Sequence, residues 1–211
     1  MTKTPRWIAL AAAAAAAIAF TPVHAHQHVA GQHAGQDRGN WLLRAKLTHL
    51  EPVNSDNTGL DLSVNAKTFP TLDIVYFLTP NLAAELILTV PQRHNVRSAG
   101  TRIGSISHLP PTLSLQYHFT GMQGFRPYVG VGLNFTRLTD VNLDIAGASL
   151  RRNSFGLALG AGVDVPLGGG WLIGADVKKV QIDTDVRLNG AKLGTFEINP
   201  WLFSVGVGRR F

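Results

Sequence analysis

Arg126-Pro127-Tyr128-Val129-Gly130-Val131-Gly132-Leu133-Asn134-Phe135-Thr136 is the stretch that decides the fold. Val129, Val131, Leu133 and Phe135 alternate with Tyr128, Gly130, Gly132 and Asn134, and a period of two describes a strand with two unlike faces. One face is wholly apolar, while the other is glycine and polar groups, too small and too hydrophilic to build a core. The apolar face therefore meets lipid, and the small, polar face lines the inside of a barrel.

Working outward, the same alternation recurs over residues 41–49, 71–78, 82–90, 112–119, 154–165, 171–178 and 201–211. Trp41, Leu43, Ala45 and Leu47 face out against Leu42, Arg44, Lys46 and Thr48; Leu113, Leu115, Tyr117 and Phe119 face out against Thr112, Ser114, Gln116 and His118. Prolines 52, 70, 80, 91, 110, 111, 127, 166 and 200 fall at the expected strand ends, as a residue without an N–H should. The connections are short at 79–81, 120–125 and 166–170 and long at 50–70, 91–109, 137–153 and 180–199. Short turns on one side and long loops on the other predict an all-β, up-and-down, eight-stranded antiparallel transmembrane β-barrel with periplasmic termini. A soluble eight-stranded barrel would carry the opposite polarity, apolar inside and polar outside.

Composition agrees. Only 15% of the 211 residues are charged, against roughly 25% in soluble domains. Beyond the N-terminus no apolar run approaches the ~18 residues of a spanning helix, so the backbone must close its hydrogen bonds between strands. The absence of cysteine excludes disulfides and thiolate chemistry. The pI of about 10.1 does not imply nucleic acid, because the basic residues are scattered among loops and strand ends; at a membrane edge they suit anionic headgroups such as lipopolysaccharide phosphates.

Residues 1–25 read as a signal peptide: Lys3 and Arg6, an apolar run from Trp7 to Phe20, then Val23-His24-Ala25 as a small-x-small cleavage site. Its removal lowers the formal charge from +6 to +4. Residues 26–40 read as a flexible His-rich periplasmic tail, and 41–211 as the barrel. Cleavage after Ala25 creates the terminus His26-Gln27-His28, whose amine and imidazoles have the donors of a square-planar Cu(II) or Ni(II) site; the alternative is a polar spacer.

With these residues in view, the chain resembles the OmpW/AlkL family of small outer-membrane barrels. The resemblance is strongest at His108-Leu109-Pro110-Pro111-Thr112-Leu113, at Phe125-Arg126-Pro127-Tyr128-Val129-Gly130, at Asp183-Thr184-Asp185-Val186, and from Pro200-Trp201 to Arg210-Phe211. It implies a Gram-negative outer-membrane location, passive uptake of small hydrophobic molecules with sideways release between strands, and recognition of Phe211 by the barrel-assembly machinery. It also implies a lumen constriction at the positions of Ile87 and Lys178, where the lysine departs from the family's apolar character.

The inward charges Arg44, Lys46, Asp73, Glu85, Asp164, Asp176 and Lys178 are near balance in sign and are expected to pair across a narrow lumen, with Lys178 beside Asp176 or Glu85. No cofactor is implied. For a transporter, Leu60, Leu62, Phe69, Ile87, Ile103 and Leu143 form the apolar approach, Pro91 and Pro110 weaken strand pairing near the mouth, and Gly130 and Gly132 leave room in the lumen, so that enlarging either should block uptake in a folded barrel. A surface receptor or adhesin would instead work through the loops, with Arg93, His94, Arg97 and Arg102, or Arg151 and Arg152, on lipopolysaccharide phosphates. A lipid-modifying enzyme has only the Ser114/His118 pair to draw on and no third orienting group. For the tail, one equivalent of Cu(II) added to signal-processed chain separates the two readings: a metal site gives a square-planar visible band that His28→Ala removes, and a spacer gives none.

Overall fold

The structure is a computed structural model that describes residues 39–211; the signal segment and most of the tail, with His26 and His28, lie outside the described residues. The strands are β1 (Trp41–Glu51), β2 (Ser55–Asp56), β3 (Leu62–Val64), β4 (Lys67–Phe77), β5 (Leu82–Thr89), β6 (Gln92–Ser98), β7 (Thr101–Leu109), β8 (Thr112–His118), β9 (Arg126–Leu143), β10 (Ala148–Leu150), β11 (Asn153–Gly168), β12 (Trp171–Val180), β13 (Asp183–Leu188), β14 (Ala191–Glu197) and β15 (Trp201–Arg210). Eight of them close an antiparallel ring in the order β1-β4-β5-β8-β9-β11-β12-β15. β9 pairs β11 from Arg137↔Asn153 to Arg126↔Asp164, and β15 returns to β1 from Leu42↔Arg210 to Glu51↔Trp201. No edge is left in the ring, as hydrocarbon requires.

The side-chain phase follows the alternation. Leu133 is 67% and Phe155 77% exposed on the outside, whereas Asp73 and Glu85 inside are fully buried. Aromatic groups border the apolar band: Trp41 against Tyr76 and Tyr117 against Phe119 at the periplasmic end, Phe135 against Phe155 toward the other. The cations Lys179 and Arg209 lie over Trp201 and Trp171, a placement suited to membrane interfaces.

Two expectations need correction. The long connections are largely strand: the β6–β7 hairpin pairs with β3 and with the upper half of β9, and β10, β13, β14 and β2 form a separate four-stranded sheet. The reason is a second apolar core, built from Leu62, Val64, Val96, Ile106, Leu138, Val180, Ile182, Val186, Phe196 and Ile198 among others, which gives these segments a face to bury. Prolines also lie inside strands. Pro70 stands opposite Leu47 in the β1–β4 ladder but beyond the last β4–β5 pair, Thr71↔Thr89, Pro127 is the second residue of β9, and Pro166 adjoins the register shift that ends the β11–β12 ladder; on the unpaired side of a strand, at a strand end or at a bulge the missing N–H costs little.

Within the extension the His94 and His108 rings stack with centroids 4.7 Å apart. His94 Nδ1 donates to the Asn65 carbonyl at 2.8 Å, while His94 Nε2 and both ring nitrogens of His108 have no partner. Burial, then repulsion from His94 and Lys67, pushes His108 from an ordinary 6.5 down to about 3; burial also lowers His94 against its bond to Asn65. A group held neutral in the folded state contributes stability that is complete above its unfolded value and is lost as pH falls. Acidification from about 6.5 toward about 3 should therefore loosen the extension while the membrane ring persists. Amide exchange across β6 and β7 measured over that range checks this: protection relative to the intrinsic exchange rate at each pH should fall in the native chain and not in a His94→Phe, His108→Phe variant.

Candidate functional site

Strand alternation projects three cations and four carboxylates into the middle of the ring. Arg44 on β1 bonds Asp164 on β11 at 2.6 Å and approaches Glu85 on β5 at 3.5 Å. Lys46, two residues along β1 and hence on the same face, reaches Asp73 on β4 at 2.5 Å and Asp176 on β12 at 2.6 Å. Lys178 on β12 closes the network, 3.1 Å from Asp176 and 3.5 Å from Glu85. It thus meets both of the partners expected for it. The Tyr128 hydroxyl donates to Asp176 at 3.4 Å, and the Arg44 guanidinium stacks 4.8 Å from the Tyr128 ring. Every charged member is under 10% exposed, so the network is a solid plug across the lumen.

Glycines on the facing strand make this closeness feasible. A Cβ on Gly160 would stand 2.8 Å from Lys178 Cγ, and one on Gly162 would collide with the Tyr128 ring. Gly130 and Gly132 serve a different purpose from the one expected. Both lie outside the cavity lining described below, Gly130 is occupied by the Gln116 stem, and a Cβ on Gly132 would stand 2.5 Å from the Leu113 carbonyl and the Ser114 hydroxyl. Enlarging Gly132 would push β8 and β9 apart, so that substitution does not isolate a transport route.

Above the plug is a narrow cavity of about 30 Å³. Its floor is the Lys46 and Lys178 side chains, and its walls carry Leu50, Phe69, Ile87, Val180, Ile182 and Leu202. Its polar lining groups are turned to one another: Thr48 with Thr71 at 2.9 Å and with Ser204 at 3.1 Å, and Asn134 Nδ2 donating to Thr112 at 2.9 Å. With those groups satisfied, the surface facing the space is apolar, as small-molecule sites usually are.

Of the expected approach residues, Phe69 and Ile87 line this cavity, whereas Leu60, Leu62, Ile103 and Leu143 belong to the core of the extension. Leu50, Val180, Ile182 and Leu202 were missed because their segments read as loop or strand end. The signal was present, since Val180, Ile182, Thr184 and Val186 continue the inward alternation of β12. His118 lies between the rings of Phe77 and Tyr128, and its Nε2 bonds Gln116 at 3.0 Å; the structure gives it no hydrogen bond to Ser114.

The wall beside the cavity is interrupted. The β5–β8 ladder ends at Ile87↔Thr112, and pairing resumes between β6 and β7 at Gln92↔His108. Between them lie Pro91, Pro110 and Pro111, which bring no N–H to the ladder. Ile87, Thr89, Pro110 and Thr112 border both this break and the cavity.

Residues 37–211 match the model of the OmpW family. Outer membrane protein W of Vibrio cholerae is 32% identical over 231 residues, spanning 100% of both chains. The Pseudomonas aeruginosa dibenzothiophene metabolism operon protein PahQ is 30% identical over 160 residues, 70% of this chain and 72% of that one. Among solved structures, the crystal structure of OprG from Pseudomonas aeruginosa superposes with a TM-score of 0.73 at 27% identity, over 84% of this chain and 98% of that one.

Removing one member of a buried ion network leaves its partners uncompensated, at about 3–5 kcal/mol. Arg44→Met, which removes the 2.6 Å partner of Asp164 and leaves Glu85 with Lys178 alone, should destabilise the ring by that order. Arg151→Ala, at a pair with Asp183 whose side chains are 44% and 45% exposed, should cost no more than about 1 kcal/mol. Urea unfolding of the two variants in lipid vesicles gives the comparison.

Proposed function

The chain belongs to the OmpW family of Gram-negative outer-membrane barrels, and from that premise we propose that it takes small apolar molecules from the extracellular side and releases them sideways into the membrane. The observation that carries this reading is the junction of three features: an apolar cavity, a charged floor, and a break in the wall at the same height. A solute resting among Phe69, Ile87, Ile182 and Leu202 meets the ion network below it. Passing downward would separate buried charge pairs, at a cost of several kcal/mol for each ion left unpaired. Moving sideways meets Pro91, Pro110 and Pro111, where few backbone hydrogen bonds need to open, and leads an apolar molecule into hydrocarbon, where it is favoured.

The name of the relative PahQ links that protein to the metabolism of an apolar aromatic compound, and the OmpW/AlkL resemblance carries the same class of cargo. Both support an apolar solute here.

Uptake of a hydrocarbon into liposomes holding the folded chain should exceed that of empty liposomes, and equal rates would sink the proposal. Ile87→Trp, which fills the cavity, should abolish the excess. Pro110→Val together with Pro111→Val, which restores two ladder donors, should slow uptake while leaving binding of the hydrocarbon intact. Loss of binding and transport together in that second variant would point to cavity collapse and argue against the sideways route.

A further inference from the structure

Among the described residues, the outer face of the extension carries cations that no carboxylate neutralises. On β6 the outward residues are Arg93, Asn95 and Arg97, alternating with buried Gln92, His94 and Val96. Arg97 stands directly opposite Arg102 of β7, and like charges at such a position destabilise a sheet. Arg93 Nε and Nη2 donate to the Ser105 hydroxyl at 3.2 and 2.9 Å, and Arg102 Nε to Asn95 Oδ1 at 3.2 Å. Lys67 adds its ammonium group at the Arg93 carbonyl, 2.9 Å away. On β9, Arg137 faces outward two residues beyond Phe135.

Asp61, Asp140 and Asp144 lie on adjoining segments, yet among the described residues no ion pair joins a carboxylate to Arg93, Arg97, Arg102 or Arg137. Elsewhere in the same extension cations are neutralised: Arg151 by Asp183 and Asp185, Lys192 by Asp185. The β6–β7 face thus gathers Arg93, Arg97 and Arg102 on two paired strands, with Arg137 on the adjoining β9, and among the described residues none of them is paired with a carboxylate.

Its height matters as much as its sign. The last exposed apolar residue before β6 is Val90, 57% exposed. At about 3.3 Å per residue, Arg93 begins about 10 Å beyond it along the chain, and Arg97 about 23 Å; a strand tilt of about 45° places them roughly 7 and 16 Å above the apolar band. In the outer membrane that layer is occupied by lipid headgroups.

We propose that the β6–β7 face, through Arg93, Arg97, Arg102 and Arg137, binds the phosphates of a phosphorylated glycolipid headgroup, lipopolysaccharide, in the outer leaflet. Guanidinium groups suit this ligand because they form bidentate, charge-assisted hydrogen bonds with phosphate. A phosphate between Arg97 and Arg102 also relieves their mutual repulsion. The proposal stands independently of the uptake reading.

The test uses the folded full-length processed chain in nanodiscs of uncharged lipid, its folding verified by heat-modifiable gel mobility, with displacement of a fluorescent lipopolysaccharide as the readout. Phosphorylated lipopolysaccharide should compete at least about tenfold better than the same glycolipid after phosphatase treatment, and inorganic phosphate should compete only far more weakly. Arg97→Gln with Arg102→Gln should raise the half-displacing concentration about tenfold or more; Arg97→Lys with Arg102→Lys, which keeps the charge and loses the bidentate fork, should fall between that variant and the native chain, and the control Arg151→Gln should stay near the native value. Equal competition by the phosphatase-treated lipid overturns the proposal and needs no substituted protein. So does unchanged binding by a folded glutamine variant. Equal competition by inorganic phosphate overturns the lipid assignment in favour of a small-anion site.

Discussion

In hydrocarbon an unpaired backbone N–H or C=O costs several kcal/mol, and this constraint sets the rest of the structure in sequence. It forces the strands into a closed ring. With eight strands, the ring is so narrow that its inward side chains nearly fill it. The filling must then balance its own charge, and here Arg44, Lys46 and Lys178 are shared among four carboxylates, with Arg44 Nε and Asp164 Oδ1 left without a hydrogen bond. A lumen closed that way leaves its apolar space above the charges, next to the place where prolines thin the wall.

The ion network also ties together strands that are not neighbours. Arg44 links β1 to β11 and to β5, Lys46 links β1 to β12, and Lys178 links β12 to β5. A slip of one residue in any of these ladders would turn a charge out toward lipid and an apolar group inward. The network is weak evidence for net stability, because desolvation offsets much of the attraction. Its physical effect is on register: a one-residue slip breaks these cross-ring pairs, so the network favours the observed stagger.

The ring was legible in the sequence because lipid and lumen make opposite demands on alternate residues, so Val129, Val131 and Leu133 stand out against Tyr128, Gly130 and Gly132 without further context. The charged interior was legible for the same reason. The extension was not. Its strands are short, Leu62–Val64 and Ala148–Leu150 being three residues each, and they alternate against a small local core and water, which leaves a weaker pattern than lipid does. The cavity inherited that difficulty. Phe69 and Ile87 belong to or adjoin recognised strands, but Ile182 and Leu50 lie where a recognised strand passes into what read as loop. Gly132 shows another limit: a small residue on the inner face signals space, yet the space is already taken by the approach of the next strand.

The ring is sealed by the two ends of the described chain. Trp41 and Phe211 exchange backbone hydrogen bonds of 3.1 and 2.9 Å, and β1 meets β15 across nearly the whole sequence between them. Such a contact is among the last a chain can make, because the entropy of closing so long a loop has to be met before the pairing returns anything. Until β15 arrives, β1 and β12 each present a bare row of donors and acceptors, a template for the wrong neighbour. The barrel is thus a structure whose intermediates are adhesive and whose finished form is not. Those two margins stay open until the ten residues of β15 are in place.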